Sequence, residues 1–356
     1  MPDPLRHVRA LAGAREAAGP GEAAAARYIV EAARAYTHQV WMEPFPSFRS
    51  SVLPYLLVFA VSLAGGLLLP FGTAPAAVVS TLAAAAFAGQ SLGWTQLGWL
   101  FERGESRNVV AVVPSERAIR RRLVLVAHVD SPGAAPAAVE PAGAGVMILP
   151  VLAAAAAVTG NAAWAWLCVV PLLLIARGIM LLVCAHRKGR RPEGGEAGGP
   201  ALALAAGEAL AQVPLQHTEV WTVFAGAREP GMVGLQFFLQ QYGRLLAEAD
   251  FVVLESRQSG GPAYTLAEGV MPAKLSDDEL AGHLQELAAQ HPDWRLTGTE
   301  LGGRETQGAL VLDEGFRAVS LLVPANPRAL HDLVRLLRAL GELIDRDARQ
   351  QAEAGM

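Results

Sequence analysis

Two long stretches of this chain carry no charge, and the rest alternates between short aliphatic runs and amphipathic helical patterns. Residues 50–101 contain no Asp, Glu, Lys or Arg, and neither do residues 141–176. In the first stretch, segments 52–69 and 75–93 each approach the roughly 20 apolar residues that a helix needs to cross a bilayer. PFGTAP at 70–75 supplies a turn between them. Helices buried in a soluble core would carry polar stripes, which these lack. In the second stretch, segment 145–159 is short for a span, segment 162–182 is ample, and Gly160-Asn161 makes a tight turn. The pattern predicts two transmembrane hairpins.

Outside these stretches the periodicities are those of a soluble α/β protein. Helices are expected at 21–36, 200–210, 232–248, 276–290 and 327–345, the fourth opened by Ser276 as N-cap with Glu279 closing a capping box. Strands are expected at 39–45 (QVWMEPF), 107–113 (RNVVAVV), 123–127 (LVLVA), 218–224 (TEVWTVF), 251–255 (FVVLE) and 318–323. Runs such as LVLVA, β-branched and aliphatic at every position, fit strands buried on both faces. Strands alternating with helices imply an α/β fold, with a mixed, mostly parallel sheet flanked by helices. The soluble domain is discontinuous, built from residues 1–50, 102–140 and 187–356. Residues 51–101 and 141–186 form the two inserted hairpins.

Composition sharpens this division. Hydrophobic residues make up 52%, charged residues 17%, and the mean hydropathy is +0.30, so a lipid bilayer is the first expected partner. A net charge of −4 gives no general attraction to nucleic acid. Cys168 and Cys184 both lie in an apolar stretch, leaving neither a disulfide framework nor a cysteine zinc site. The opening MPDPLRHVRA has no apolar core and does not read as a signal peptide. The turns within the hairpins are uncharged, whereas Arg49, Arg103, Arg107, Arg187, Lys188, Arg190 and Arg191 flank them. The positive-inside rule then places four spans with the soluble domain and both termini cytoplasmic. Arg177, near one end of the last span, reads as a snorkelling side chain. The spans hold almost no polar residues to line a transport path.

The chemistry-bearing residues fall at strand ends. His128-Val129-Asp130 follows strand 123–127, at the carboxyl edge where α/β sheets bind ligands. A metal-binding histidine needs its second ring nitrogen oriented, and a nearby carboxylate is a common orienter. Glu229 follows strand 218–224, and Glu255 ends strand 251–255.

In this arrangement the chain resembles the co-catalytic zinc exopeptidases, peptidase family M twenty-eight, which includes bacterial leucyl aminopeptidases, glutamate carboxypeptidase and glutaminyl cyclases. Residues 7–45 resemble the family's opening helix and strand, and RNVVAVV followed by RLVLVAHVDS resembles its first metal strand. TEVWTVFAGAREPGMVGL resembles its Gly-Ala-Glu-Glu-x-Gly segment, and FVVLES the strand with a further acidic ligand. The resemblance implies two zinc ions ~3.5–4 Å apart, bridged by a carboxylate and a water that attacks the peptide carbonyl. It makes His128 and Glu255 ligands of one metal, Glu229 a ligand of the other, and Asp130 the orienter of His128.

The chain departs from the family pattern at three places. Arg228 stands where the first paired glutamate, the general base, belongs, and guanidinium stays protonated at any working pH. The bridging aspartate belongs near residue 195, where EGGEAGGP offers only Glu193 or Glu196 as displaced substitutes. The final His-Thr motif is missing, because VPAN at 323–326 runs directly into the closing helix. His331 lies inside that helix, and His217, His283 and His291 have polar neighbours. A catalytic zinc usually takes three protein ligands and keeps an open position, so at most one zinc ion is expected, or none. The expected function is that of a membrane-anchored metallopeptidase homologue, its site inactive, acting in binding or scaffolding on a peptide or lipid-headgroup ligand. The alternative is an active membrane-bound aminopeptidase or related hydrolase with a rearranged or mononuclear zinc site.

Overall fold

A computed structural model describes residues 2–50, 52–91, 97–101, 103–131, 136–188, 196–229, 231–257, 259–270, 272–303 and 306–354. In chain order the helices are α1 (Pro4–Ala10), α2 (Pro20–Arg34), α3 (Val52–Leu67), α4 (Thr73–Ser91), α5 (Pro136–Thr159), α6 (Ala162–Leu167), α7 (Val169–Lys188), α8 (Gly198–Gln212), α9 (Val233–Tyr242), α10 (Asp278–Gln290), α11 (Gln307–Asp313) and α12 (Pro327–Ala354). The strands are β1 (Gln39–Phe48), β2 (Arg103–Val113), β3 (Arg121–His128), β4 (Thr218–Ala225), β5 (Asp250–Arg257), β6 (Ala263–Gly269), β7 (Lys274–Leu275), β8 (Thr297–Gly302) and β9 (Arg317–Pro324).

All nine described strands form one sheet, ordered β1-β2-β4-β3-β5-β9-β6-β7, with β8 also paired to β6. β4, β3, β5 and β9 run parallel, and β2 is antiparallel to both β1 and β4. The alternation within β3 explains why this strand is central. Leu123, Leu125 and Ala127 face a core shared with α2, α8, α10 and α12, while Val124 and Val126 face a second core closed by α9 and α11. All five side chains are fully buried, as expected for a strand covered on both faces.

The uncharged stretches form a separate apolar bundle of α3, α4, α5 and α7 around Phe59, Val146, Leu149, Ile175 and Leu182. Small residues let these helices approach closely: a Cβ on Gly66 would meet Leu172 at 2.2 Å, and one on Gly143 would meet Phe87 at 2.2 Å. Three helical segments are long and apolar enough to cross a membrane, namely Thr73–Ser91, Pro141–Thr159 and Ala163–Cys184. The expected count of four spans is not met by length, because α3 has only 16 residues. The third apolar helix, expected at 145, instead begins at Pro136, since Pro141 and Pro150 are both accommodated inside it.

Other expectations are corrected in the soluble part. The expected capping box is absent: Asp277 caps α10 by accepting from the Leu280 N–H at 3.0 Å. The Ser276 hydroxyl meets Thr265 at 3.1 Å instead, and Glu279 accepts from Arg121 and Arg317. The helix expected to reach residue 248 ends at Tyr242, whereas the closing helix runs on to Ala354. β4, which comes after both hairpins, inserts between β2 and β3.

Asn108 of β2 fastens α9 to the end of β4. Its carboxamide oxygen accepts from the Gly226 N–H at 3.0 Å, and its nitrogen donates to the Gly234 carbonyl at 2.8 Å. A Cβ at Gly234 would lie 2.2 Å from the Gly226 carbonyl oxygen, so only glycine permits this approach. Gly234→Ala is therefore expected to cost about 1–3 kcal/mol, the range for overpacking a tight contact. Denaturation in detergent measures it, and an unchanged midpoint would contradict the account.

Candidate functional site

The parallel strands bring His128, Arg228, Glu229 and Glu255 to one edge of the sheet. β3 ends at His128, which lies opposite Ala225 of β4. The His128 ring is buried, and its Nδ1–H donates to the Asp130 backbone carbonyl at 2.6 Å. Burial, and then the nearby Arg228 guanidinium, lower its pKa to about 4, so the imidazole is neutral near pH 7.

The Asp130 side chain takes a different part from the one expected. Its two carboxylate oxygens accept from the backbone N–H groups of Arg228 and Glu229, each at 2.9 Å. The orienter of His128 is thus the Asp130 carbonyl. Its carboxylate holds the turn after β4, where Ala227 adopts a left-handed φ of 48° and exposes successive N–H groups to an anion.

Arg228, in the position expected for a base, donates from Nη2 to Glu255 Oε2 at 2.8 Å. The other oxygen of Glu255 accepts from the Gln307 backbone N–H at 3.1 Å. Burial by itself would raise the Glu255 carboxyl, but the Arg228 charge, His128 and the Gln307 N–H together hold it below its ordinary range. Glu229 is half-buried beside this pair. The ligand atoms of His128, Glu229 and Glu255 do not lie within 4.8 Å of one another; among the described residues only Glu279, His283 and Asp347 meet that test. That trio sits between α10 and α12, with Glu279 already bonded to two arginines. Among the described residues, His128, Glu229 and Glu255 thus form no close cluster of three donor atoms.

The expected substitute ligands divide. Glu193 lies outside the described residues. Glu196 precedes α8, and its backbone carbonyl accepts from Arg15 Nη2 at 3.1 Å and from the Ser256 hydroxyl at 3.2 Å. His331 is exposed on α12, 3.6 Å from Asp3, and does not join the site.

Three residues of this edge were not anticipated. Arg15 is buried and donates from Nε to the Val129 carbonyl at 2.6 Å, as well as to the carbonyls of Leu11 and Glu196. It joins the end of β3 to the segment before α8. Glu22, in the first turn of α2, accepts from Ser106 Oγ at 2.6 Å and from the N–H groups of Ala18 and Ala227. Burial, with Asp130 nearby, pushes its carboxyl up to about 7. Gln307 opens α11 with its side chain fully buried and both polar atoms without partners. Only Glu22 left a trace in the sequence, as an acid in a helix's first turn, and that is an ordinary stabilising position.

No protein-family model matches the chain, and no curated protein matches its sequence. Solved structures do match. An aminopeptidase, LapA, from Legionella pneumophila aligns with a TM-score of 0.52 at 12% identity, over 96% of this chain and 71% of that one. A glutaminyl cyclase from an Acidobacteriales bacterium aligns at 0.54 and 10% identity, over 97% and 92%. BSAP, a zinc aminopeptidase from Bacillus subtilis, aligns at 0.51 and 11% identity, over 98% and 95%. Likeness at such low identity establishes architecture alone: this chain has the mixed α/β fold of zinc aminopeptidases and glutaminyl cyclases.

Proposed function

We propose that this chain is a membrane-anchored relative of the zinc exopeptidases that binds a ligand at the old peptidase edge and does not hydrolyse it. The observation that carries the reading is the Arg228–Glu255 ion pair. A guanidinium, which offers N–H donors and no acceptor, sits where the reaction needs a proton acceptor, and it occupies a carboxylate that a metal would need. The missing His-Thr motif removes a further ligand from the same centre. No reaction step is routed through zinc. The anchoring half of the proposal rests on the apolar bundle, whose helices expose Leu82 at 65%, Val151 at 66% and Leu173 at 65%. In water such exposed apolar side chains would favour association with another apolar phase. The basic flanks favour a cytoplasmic α/β domain, assembled from residues 1–50, 102–140 and 187–356 around the two inserts.

Purified protein is expected to contain fewer than two zinc ions per chain and to release no product from aminoacyl-anilides or dipeptides. Two ions per chain, with turnover abolished by a chelator, would establish the hydrolase instead. Arg228→Ala leaves the Glu255 carboxylate without its cation. The loss should fall toward the low end of the ~3–5 kcal/mol typical of a broken buried pair, since Arg228 is about a fifth exposed. A melting temperature equal to that of the parent would remove the pair's structural role. Arg228→Glu is expected to stay inactive, because the bridging and final ligands are still missing. Alkaline carbonate should leave the chain in the membrane pellet, and release into the supernatant would defeat the anchoring.

A further inference from the structure

One arginine stands on the apolar bundle. Arg177 is the only Asp, Glu, Lys or Arg in the apolar segment Ala163–Cys184. It is exposed, and so are Leu173, Met180 and Cys184 on the same helix. Residues at those spacings share one helix face, so Arg177 looks outward, where the proposed anchor meets lipid. α5 and α7 pack closely there: a Cβ on Gly145 would lie 2.8 Å from the Pro171 carbonyl oxygen. Beside this contact a shallow groove opens between the two helices, lined by Pro141, Ala142, Leu174, Arg177, Gly178 and Leu181. Ala142 and Gly178 are buried and small, which leaves room next to the guanidinium.

The groove lies near one end of the bundle. α5 follows β3, and its apolar segment begins at Pro141, the residue level with Arg177. On α7 the apolar segment ends at Cys184, only about 10 Å beyond Arg177 at ~1.5 Å per residue. A charged side chain is costly at the centre of a bilayer, whereas near a helix end it reaches the headgroup layer. Chemistry decides what it meets there. Among the described residues Arg177 has no hydrogen-bonding or ion-pair partner. A guanidinium offers N–H donors and no acceptor, and it pairs best with an oxyanion. The chain has no Asp or Glu from Ser50 to Phe101 or from Pro141 to Pro192, so the spans of a second copy would bring no carboxylate to this face. The bilayer brings the phosphodiester oxygens of its own lipids, and basic pockets between spanning helices take such headgroups.

We propose that the groove between α5 and α7 binds the phosphate group of a phospholipid, with Arg177 as its donor and the apolar walls against the acyl chains. The proposal rests on the reading of the bundle as a bilayer anchor and is independent of any ligand at the Arg228–Glu255 edge. Because Arg177 is already exposed, a headgroup reaches it without rearrangement of the helices.

The test is thermal denaturation of the full chain in a phosphate-free, uncharged detergent. Three additions are compared: a phosphatidylglycerol, the diacylglycerol with the same acyl chains, and inorganic phosphate. The phospholipid should raise the melting temperature by at least about 2 °C more than the diacylglycerol does, and inorganic phosphate should do less than the phospholipid. Arg177→Leu makes this part of α7 apolar throughout, so it should fold as the parent does and lose the headgroup-dependent rise. Arg177→Gln serves if the leucine variant fails to fold, and Arg177→Lys, which keeps a charged donor, should retain part of the rise. Equal shifts with phospholipid and diacylglycerol, or a full rise in the leucine or glutamine variant, would overturn the proposal. So would an equal rise with inorganic phosphate, which would make the ligand a soluble anion. Glu140, the residue before Pro141, is the competing acid within the chain. If Glu140→Gln and Arg177→Leu lowered the melting temperature equally without lipid, and the double variant lowered it no further, an internal ion pair would take the lipid's place. A chain that stays soluble without detergent would overturn the anchoring as well, whereas a detergent-dependent chain indifferent to the headgroup would overturn only this step.

Discussion

Compensation of buried carboxylates at the carboxyl edge of the sheet is the constraint on which the arrangement of the loops depends. Glu22, Asp130 and Glu255 all lie within the protein, where an unpaired charge is costly. Each is settled differently. Asp130 is held by two peptide N–H groups, Glu22 by two more and a hydroxyl, and Glu255 by a guanidinium and a peptide N–H. Arg228 couples the turn after β4 to the end of β5, and Arg15 couples the end of β3 to the segment before α8. Two arginines thus tie strand ends to neighbouring segments at this edge of the sheet. Their bonds form within the chain itself and need no ion.

Much of the fold was legible in the sequence because its core strands are extreme. LVLVA and FVVLE are apolar at nearly every position, so only a doubly covered strand accommodates them. The bundle announced itself by its lack of charge. What escaped the reading lies mostly at the far side of the sheet. β8 (TGTELG) has no aliphatic run and no alternation of apolar with polar residues, and β6 (AYTLAEG) only a fragment of each, so both depend on tertiary pairing. Ser276 looked like a cap because a serine three residues before a glutamate usually is one. Asp277 reaches the helix N–H group first, and the arginines of β3 and β9 draw Glu279 away.

The site was legible in its residues and much less so in their bonds. Strand ends alone sufficed to bring His128, Arg228, Glu229 and Glu255 to one edge, since parallel strands share it. Which oxygen meets which donor was not encoded in spacing: Asp130 was expected to face the imidazole, yet the turn at 227–229 claims its carboxylate. Arg15 and Gln307 come from a loop and a short helix far apart in the chain, and no local pattern marks either.

The pairing of Phe48 with Arg103 has a consequence for how the chain is assembled. The two ends of the first insertion are hydrogen-bonded neighbours, so residues 49–102 are, topologically, the connection of a single β-hairpin. Closing such a connection costs entropy that grows only slowly with its length, and packing between α3 and α4 returns the chain to its starting point. A two-residue turn would join the same strands. The apolar segment is therefore a graft at a hairpin tip, and a sheet of this kind can gain or lose it without changing the order of its strands.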